Sequence, residues 1–184
     1  MANQEFFEWQ TPEKLRKLAD IESDSLGALA LKSPGREFRE AFVASRFAQH
    51  RDAAFVRLLP TRQGKQTPDF AILVGGDELW FETTEIDRPN RRRGDEPLVD
   101  SAQFYAEDEW STPEELCPTA TSRIGSKVSK NYDKCDGLVI WFNAFPVERS
   151  HTMNRDWWEK VSSSAKSRFA EVWVHQHGGF TRLF

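Results

Sequence analysis

The sequence predicts an α/β (α+β) chain, a mixed central sheet flanked by helices in the order α-β-β-β-α-β, with a C-terminal α-β extension. Three observations carry this expectation. Residues 70–74 (FAILV) and 78–86 (ELWFETTEI) are apolar, strand-prone runs separated by Gly75-Gly76-Asp77, the turn chemistry of a hairpin. Stretches with a helical apolar period lie on either side of that hairpin, at 36–50 and 119–132. Residues 138–142 (LVIWF) form an unbroken apolar run, as expected of a strand buried on both faces. A three-strand meander followed by a helical crossover implies a mixed sheet.

Taken in order, Thr11-Pro12-Glu13 is a helix start, with Thr11 as N-cap and Pro12 in the first turn. Leu15, Leu18, Ala19 and Ile21 give this helix a short apolar face before Ser23-Asp24-Ser25 and Gly27 interrupt it. After the turn at Ser33-Pro34-Gly35, the helix from Arg36 to His50 buries Phe38, Ala41, Phe42 and Ser45. Residues 54–59 (AFVRLL) are the first strand, ended by Pro60. In the long strand of the hairpin, Trp80, Glu82, Thr84 and Ile86 face one side and Leu79, Phe81, Thr83 and Glu85 the other. The stretch 87–115 is polar and aperiodic. The helix at 119–132 buries Ile124 and Val128, a later helix runs from Asn154 or Asp156 through Phe169, and residues 171–175 form a last strand before an aromatic tail at 180–184.

A length of 184 residues suits one domain with a full core. Residues 1–32 would form a peripheral helix, 36–142 the core, and 143–184 a C-terminal helix and strand. Fourteen Phe and seven Trp predict an aromatic-rich interior, with Trp157-Trp158 as part of it. The net charge of −4 is mild, so local patches must decide any affinity for nucleic acid. Cys117 and Cys135 are too few for a disulfide framework and are not spaced as a metal knuckle, so reduced, partly buried thiols are expected. No apolar stretch approaches the roughly 20 residues of a membrane helix, and MANQEFFEWQ lacks the pattern of a signal peptide. A cytoplasmic protein with no membrane association is the expectation.

The candidate chemistry lies in the hairpin. Asp69 opens its first strand directly after Pro68, and Glu82 lies inside the second between Phe81 and Thr83. Two carboxylates on neighbouring strands suit a hard divalent cation, which takes oxygen ligands. The alternative is structural: Asp69 merely opens a strand, and Glu82 pairs with an arginine across the sheet. Arg91, Arg92 and Arg93 follow closely and are candidate nucleic-acid contacts, since arginine clusters suit phosphate oxygens. Their charge is also open to neutralisation by Asp95, Glu96, Asp100, Glu107, Asp108 and Glu109. His175 and His177 have no nearby third metal ligand. No phosphate-cradling glycine loop, G-x-S-x-G elbow or paired-histidine motif is present, so nothing points to the enzyme classes built on them.

Pro68-Asp69 entering the second strand and Glu82 in the third, within this element order, resemble the PD-(D/E)XK nuclease-like superfamily, which includes restriction endonucleases and Holliday-junction resolvases. The resemblance covers residues 36–142 and rests on a short, degenerate motif together with the order of elements. It implies a restriction endonuclease-like core and hydrolysis of phosphodiester bonds in DNA or RNA with Mg²⁺ or Mn²⁺. The metal ligands it implies are Asp69 and Glu82, with a glutamate from the first core helix, Glu40 ahead of Glu37. The third motif position, a lysine that orients or activates the attacking water, is Thr84 here, which carries no charge. Lys127 and Lys130, three residues apart on one helix face, are candidates to supply it, as is Lys65 on the loop before Asp69. Thr84 also favours a second reading, a catalytically inactive module of this fold that binds nucleic acid or a protein partner.

Overall fold

The computed structural model describes residues 4–26, 36–61, 65–86, 113–142, 155–176 and 178–184. These form four α-helices and six strands, in keeping with the expected α/β class. The chain divides into two compact units, residues 1–83 with 131–137, and residues 84–130 with 138–184.

In the first unit a 3-10 turn at Gln4–Phe7 precedes helices α1 (Pro12–Leu26) and α2 (Arg36–His50), then strands β1 (Phe55–Leu58), β2 (Phe70–Val74) and β3 (Asp77–Ile86), the last running on into the second unit. The strands form an antiparallel meander in which Leu58 lies opposite Phe70, and Phe70 opposite Phe81. The β2–β3 turn is tighter than the sequence suggests. Asp77 already pairs with Val74, leaving Gly75 and Gly76 as a two-residue turn with φ of 60° and 97°, values that side-chain-bearing residues rarely adopt.

Helix α1 starts where predicted: Thr11 Oγ1 accepts the backbone N–H of Lys14 at 3.3 Å. Thr11→Ala removes this cap, and urea denaturation should show a loss of about 1 kcal/mol. The helix continues through Ser23-Asp24-Ser25 instead of breaking there; the Ser25 hydroxyl is satisfied by the Glu22 carbonyl (2.9 Å), and Arg16 pairs with Asp20 one turn on. Its buried line is Leu15 and Ala19, whereas Ile21, expected on the apolar face, is 65% exposed.

On α2 the buried stripe is Ala41, Ala44, Ser45 and Ala48, with Phe47 beside it. Small side chains allow close approach of the helix, while Phe38 and Phe42, expected inside, are half-buried. Phe42 is instead covered by the Arg16 guanidinium, 4.0 Å from the ring centre. Phe47 meets Phe70 and Phe81 edge-on, at 5.9 and 4.8 Å between ring centres, and those two rings stack across the β2–β3 pair at 5.5 Å. This aromatic cluster fixes α2 on the sheet, and α2 in turn carries the residues discussed below.

The segment 131–137 closes the first unit. Asp136 clamps β3 from both sides of its own backbone, its Oδ2 accepting the Trp80 N–H (2.7 Å) and its N–H donating to the Trp80 carbonyl (2.8 Å). Tyr132 forms a parallel bridge with Gln66 and is buried. The sequence reading had it in a helix; that helix ends at Val128.

The second unit contains α3 (Pro113–Val128), most of β4 (Gly137–Phe142), α4 (Arg155–Val161), β5 (Glu171–Gln176) and β6 (Gly179–Arg182). Helix α3 starts at Pro113, ahead of the expected Thr119, and buries Leu116, Ala120 and Ile124 on one line; Val128 is half-buried. Leu138, Val139 and Ile140 are fully enclosed, as their unbroken apolar run predicts. Helix α4 stops at Val161, well short of Phe169. Ser162 Oγ donates back to the Trp158 carbonyl, and a 3-10 turn at Ser163–Ser167 takes over, the local competition that serine side chains offer a helix. Trp158 is fully buried, as expected, and Trp157 half-buried. The aromatic tail is a strand: β6 pairs antiparallel with β5, Trp173 opposite Arg182. Cys117 and Cys135 are free, half-buried thiols. Among the described residues no helix is long and apolar enough to cross a membrane.

Candidate functional site

The first unit gathers three acids from three elements. Asp69 stands one residue before β2, and its backbone is held in the ladder on both sides, its N–H donating to the Phe81 carbonyl (3.0 Å) and its carbonyl accepting the Leu59 N–H (2.9 Å). Its carboxylate is 6% exposed. Oδ2 accepts both the backbone N–H (2.7 Å) and the hydroxyl (2.6 Å) of Thr83, so one residue of β3 orients it twice. Oδ1 faces Arg36 Nη2 at 3.4 Å. Glu82 belongs to β3 and is fully buried, one residue beyond Phe81, whose carbonyl accepts the Asp69 N–H.

Glu40 comes from α2. Arg36, one turn earlier, donates from Nε to its Oε1 at 2.6 Å, so a single guanidinium spans Glu40 and Asp69. Burial and the negative charge of Asp69 push the Glu40 carboxyl up to about 7; Arg36 opposes this without cancelling it, and the charge of Glu82 adds to it. The same contacts hold Arg36 firmly protonated, chiefly through its hydrogen bond to Glu40 and the charge of that carboxylate. Tyr132 completes the group. Burial, and then the charge of Glu82, push its phenol above the usual range, so it stays protonated and able to donate. The result is a buried group with more negative charge than Arg36 neutralises.

Asp69, Glu82 and Glu40 thus share one unit and one electrostatic environment, and Glu40, rather than Glu37, is the α2 glutamate tied to Arg36 within it. Even so, among the described residues no three His, Cys, Asp or Glu side chains stand as a ready cluster for a metal ion. The carboxylate of Asp69 is turned to Thr83 and Arg36 instead. Thr84 is buried on β3 and, two residues from Glu82, shares its face. Lys65 of the first unit is ion-paired with Asp133 at 2.7 Å. Lys127, in the last turn of α3, and Lys130, whose carbonyl accepts Arg168 Nε at 3.3 Å, belong to the second unit. Arg91, Arg92 and Arg93 lie outside the described residues, as does His177.

Sequence reasoning missed Arg36, Thr83 and Tyr132 as members of this group. Arg36 and Glu40 carried a signal, the i,i+4 spacing of opposite charges on one helix. Thr83 carried none beyond strand propensity, and Tyr132 was hidden by its assignment to a helix. Comparison with family models, with curated proteins and with solved structures gave no match to this chain.

Proposed function

We propose that the acid group binds a divalent cation, Mg²⁺ or Mn²⁺, and that the chain hydrolyses phosphodiester bonds of DNA or RNA in the manner of the PD-(D/E)XK superfamily that it resembles. The observation that carries this reading is the mutual field of Glu40, Asp69 and Glu82, contributed by α2, the edge of β2 and β3. The donor set fits the ion: all three offer hard carboxylate oxygens, and the proton affinity of Glu40, raised first by burial and then by the charge of Asp69, is of the kind a cation would lower. Such an ion, when bound, stabilises charge on phosphoryl oxygens and makes a nucleophile of water near neutral pH.

The chain's own residues have separable parts in this scheme. Thr83 holds Asp69 in place with two hydrogen bonds to Oδ2, and Asp69 would be one of the residues to hold the ion. Glu40, whose Oε1 now accepts from Arg36, would hold the ion in its carboxylate form. Arg36, 60% exposed along its side chain, is then free to face a phosphate oxygen, which suits its fork of donors. Tyr132 stays protonated, a neutral donor beside Glu82.

One observation favours a second reading, a binding module of this fold without catalysis. Thr84 cannot supply the charge of the motif lysine, and Arg36 already provides a cation between Glu40 and Asp69. Calorimetric titration with Mn²⁺ separates the two. We expect one ion to bind wild type at or below millimolar concentration, and Asp69→Asn to weaken it at least about tenfold, a loss of about 1.4 kcal/mol. No binding at millimolar Mn²⁺ would rule out the metal site and leave the module.

A further inference from the structure

The first unit also holds an open cavity of about 200 Å³, lined in part by Arg57, Lys65, Pro68, Trp80, Asp133 and Lys134. Its place in the sheet is fixed by register. Arg57, Ala71 and Trp80 lie opposite one another across β1, β2 and β3, so they form one cross-strand row on one face. Side chains alternate along a strand, which puts Glu82 on the face of Trp80, two residues on and about 7 Å away along β3, whereas the Asp69 carboxylate is turned to Thr83 and Arg36 on the other face. The wall at Pro68 leads directly into Asp69.

The cavity combines three cations with an aromatic face. The Arg57 guanidinium lies 4.5 Å from the ring centre of Trp9, and Lys134 Nζ lies 5.5 Å from that of Trp80. Trp80 is held by its Nε1, which donates to Glu78 Oε1 at 2.8 Å. Each cation has an acidic neighbour: Arg57 with Glu78 (3.1 Å), Lys65 with Asp133 (2.7 Å) and Lys134 with Asp136 (3.9 Å), Lys134 also donating to the Glu78 carbonyl (2.6 Å). These pairs are solvent-accessible, Lys65 and Asp133 being 59% and 76% exposed. Exposed pairs are worth about 0–1 kcal/mol and are screened by salt, so a phosphodiester can take the place of the carboxylates at small cost.

We propose that this cavity binds one nucleotide of a single-stranded nucleic acid, its phosphate against Arg57, Lys65 and Lys134 and its base against the Trp80 ring. The proposal rests on the reading that the acid group acts on nucleic acid, and it names the form of substrate and the surface that takes it. An unpaired strand is required because only an unpaired base presents its flat face to an aromatic side chain. A cavity of this size takes a nucleotide and not a double helix.

The test uses fluorescence anisotropy with labelled 12-nucleotide DNA and RNA single strands, and a duplex of the same sequence, in metal-free buffer containing EDTA. We expect wild type to bind one or both single strands more tightly than the duplex. Lys65→Gln with Lys134→Gln, both exposed positions whose change leaves the fold intact, should weaken binding at least about tenfold. The pair should also make the log–log salt dependence shallower by up to about 0.7, the contribution of one phosphate contact on a single strand. Trp80→Leu should weaken binding about fivefold or more without altering that slope. Absence of single-strand binding, preference for the duplex, or an unchanged affinity in the double-lysine variant overturns the proposal. The two readings fail separately: lost Mn²⁺ binding with intact strand binding removes the metal centre alone, and Mn²⁺-dependent cleavage with unaffected lysine variants removes the cavity alone.

Discussion

Asp69→Asn is expected to abolish metal-dependent cleavage of plasmid or single-stranded substrate while leaving the protein folded. The substitution keeps the shape of the side chain and one oxygen to accept from Thr83, so the link between β2 and β3 survives. What it removes is the charge offered to a cation, and an amide nitrogen now faces Arg36 where a carboxylate did. Metal catalysis supplies several kcal/mol of transition-state charge stabilisation, and a loss of about 4 kcal/mol corresponds to a rate lower by about 10³. Cleavage by wild type with Mg²⁺ or Mn²⁺, at least about 10³-fold faster than by Asp69→Asn under the same conditions, is the outcome to look for. A circular dichroism melt should show the variant folded. Equal cleavage by both proteins would assign the activity to a contaminant, and absence of cleavage by wild type that still binds Mn²⁺ would favour the inactive module. Thr84→Lys sharpens the comparison. Threonine 84 is 4% exposed, so a lysine there must be desolvated, which lowers its pKa towards the range useful to a catalytic base.

The sequence made the strands and the acids legible because both are local signals. Gly75-Gly76 announces a hairpin whatever surrounds it, and an aspartate after a proline at the mouth of a strand stands out from its neighbours. The unbroken run at 138–142 predicted the burial of Leu138, Val139 and Ile140, while Trp141 and Phe142 are half-buried. Periodicity, in contrast, misjudged faces. Phe38 and Phe42 looked like core because they are large and apolar, yet the alanines of α2 took the interior, where a thin face lets the helix approach, and an arginine covers Phe42. Helix ends failed for a related reason: Ser162 bonds the Trp158 carbonyl where α4 gives way to a 3-10 turn, well short of the predicted Phe169. In the candidate site the acids were visible, but their partners were not. Arg36 meets Asp69 across 33 positions of sequence, a contact that exists only once α2 is docked on the sheet, and Thr83 meets it across 14, once the hairpin has closed.

Glu40 provides a test of this site that needs no substrate. Its carboxyl is pushed up to about 7 from an ordinary 4.5, by burial first and then by the charge of Asp69, with Glu82 adding to the effect and Arg36 opposing it. A group whose folded-state pKa lies above its unfolded value contributes stability that is fully present below the unfolded pKa and is lost as pH rises through the folded one. Between about pH 4.5 and 7 the unfolded chain has given up this proton while the folded one still holds it. Metal-free protein should therefore lose on the order of 3 kcal/mol across that window from this group. Glu40→Gln, which keeps the size and removes the titration, should not show that loss, so the difference between wild type and variant isolates Glu40 from the other carboxylates. Denaturant unfolding at half-unit steps from pH 4 to 8.5 measures it. A bound cation changes the sign of the local field. Saturating Mg²⁺ should flatten the wild-type decline, and Mn²⁺ affinity should rise with pH up to about 7, because the ion competes with the proton for Glu40. A pH-independent difference between wild type and Glu40→Gln would mean that Glu40 does not feel Asp69 and Glu82, and the three acids would then not act as one site.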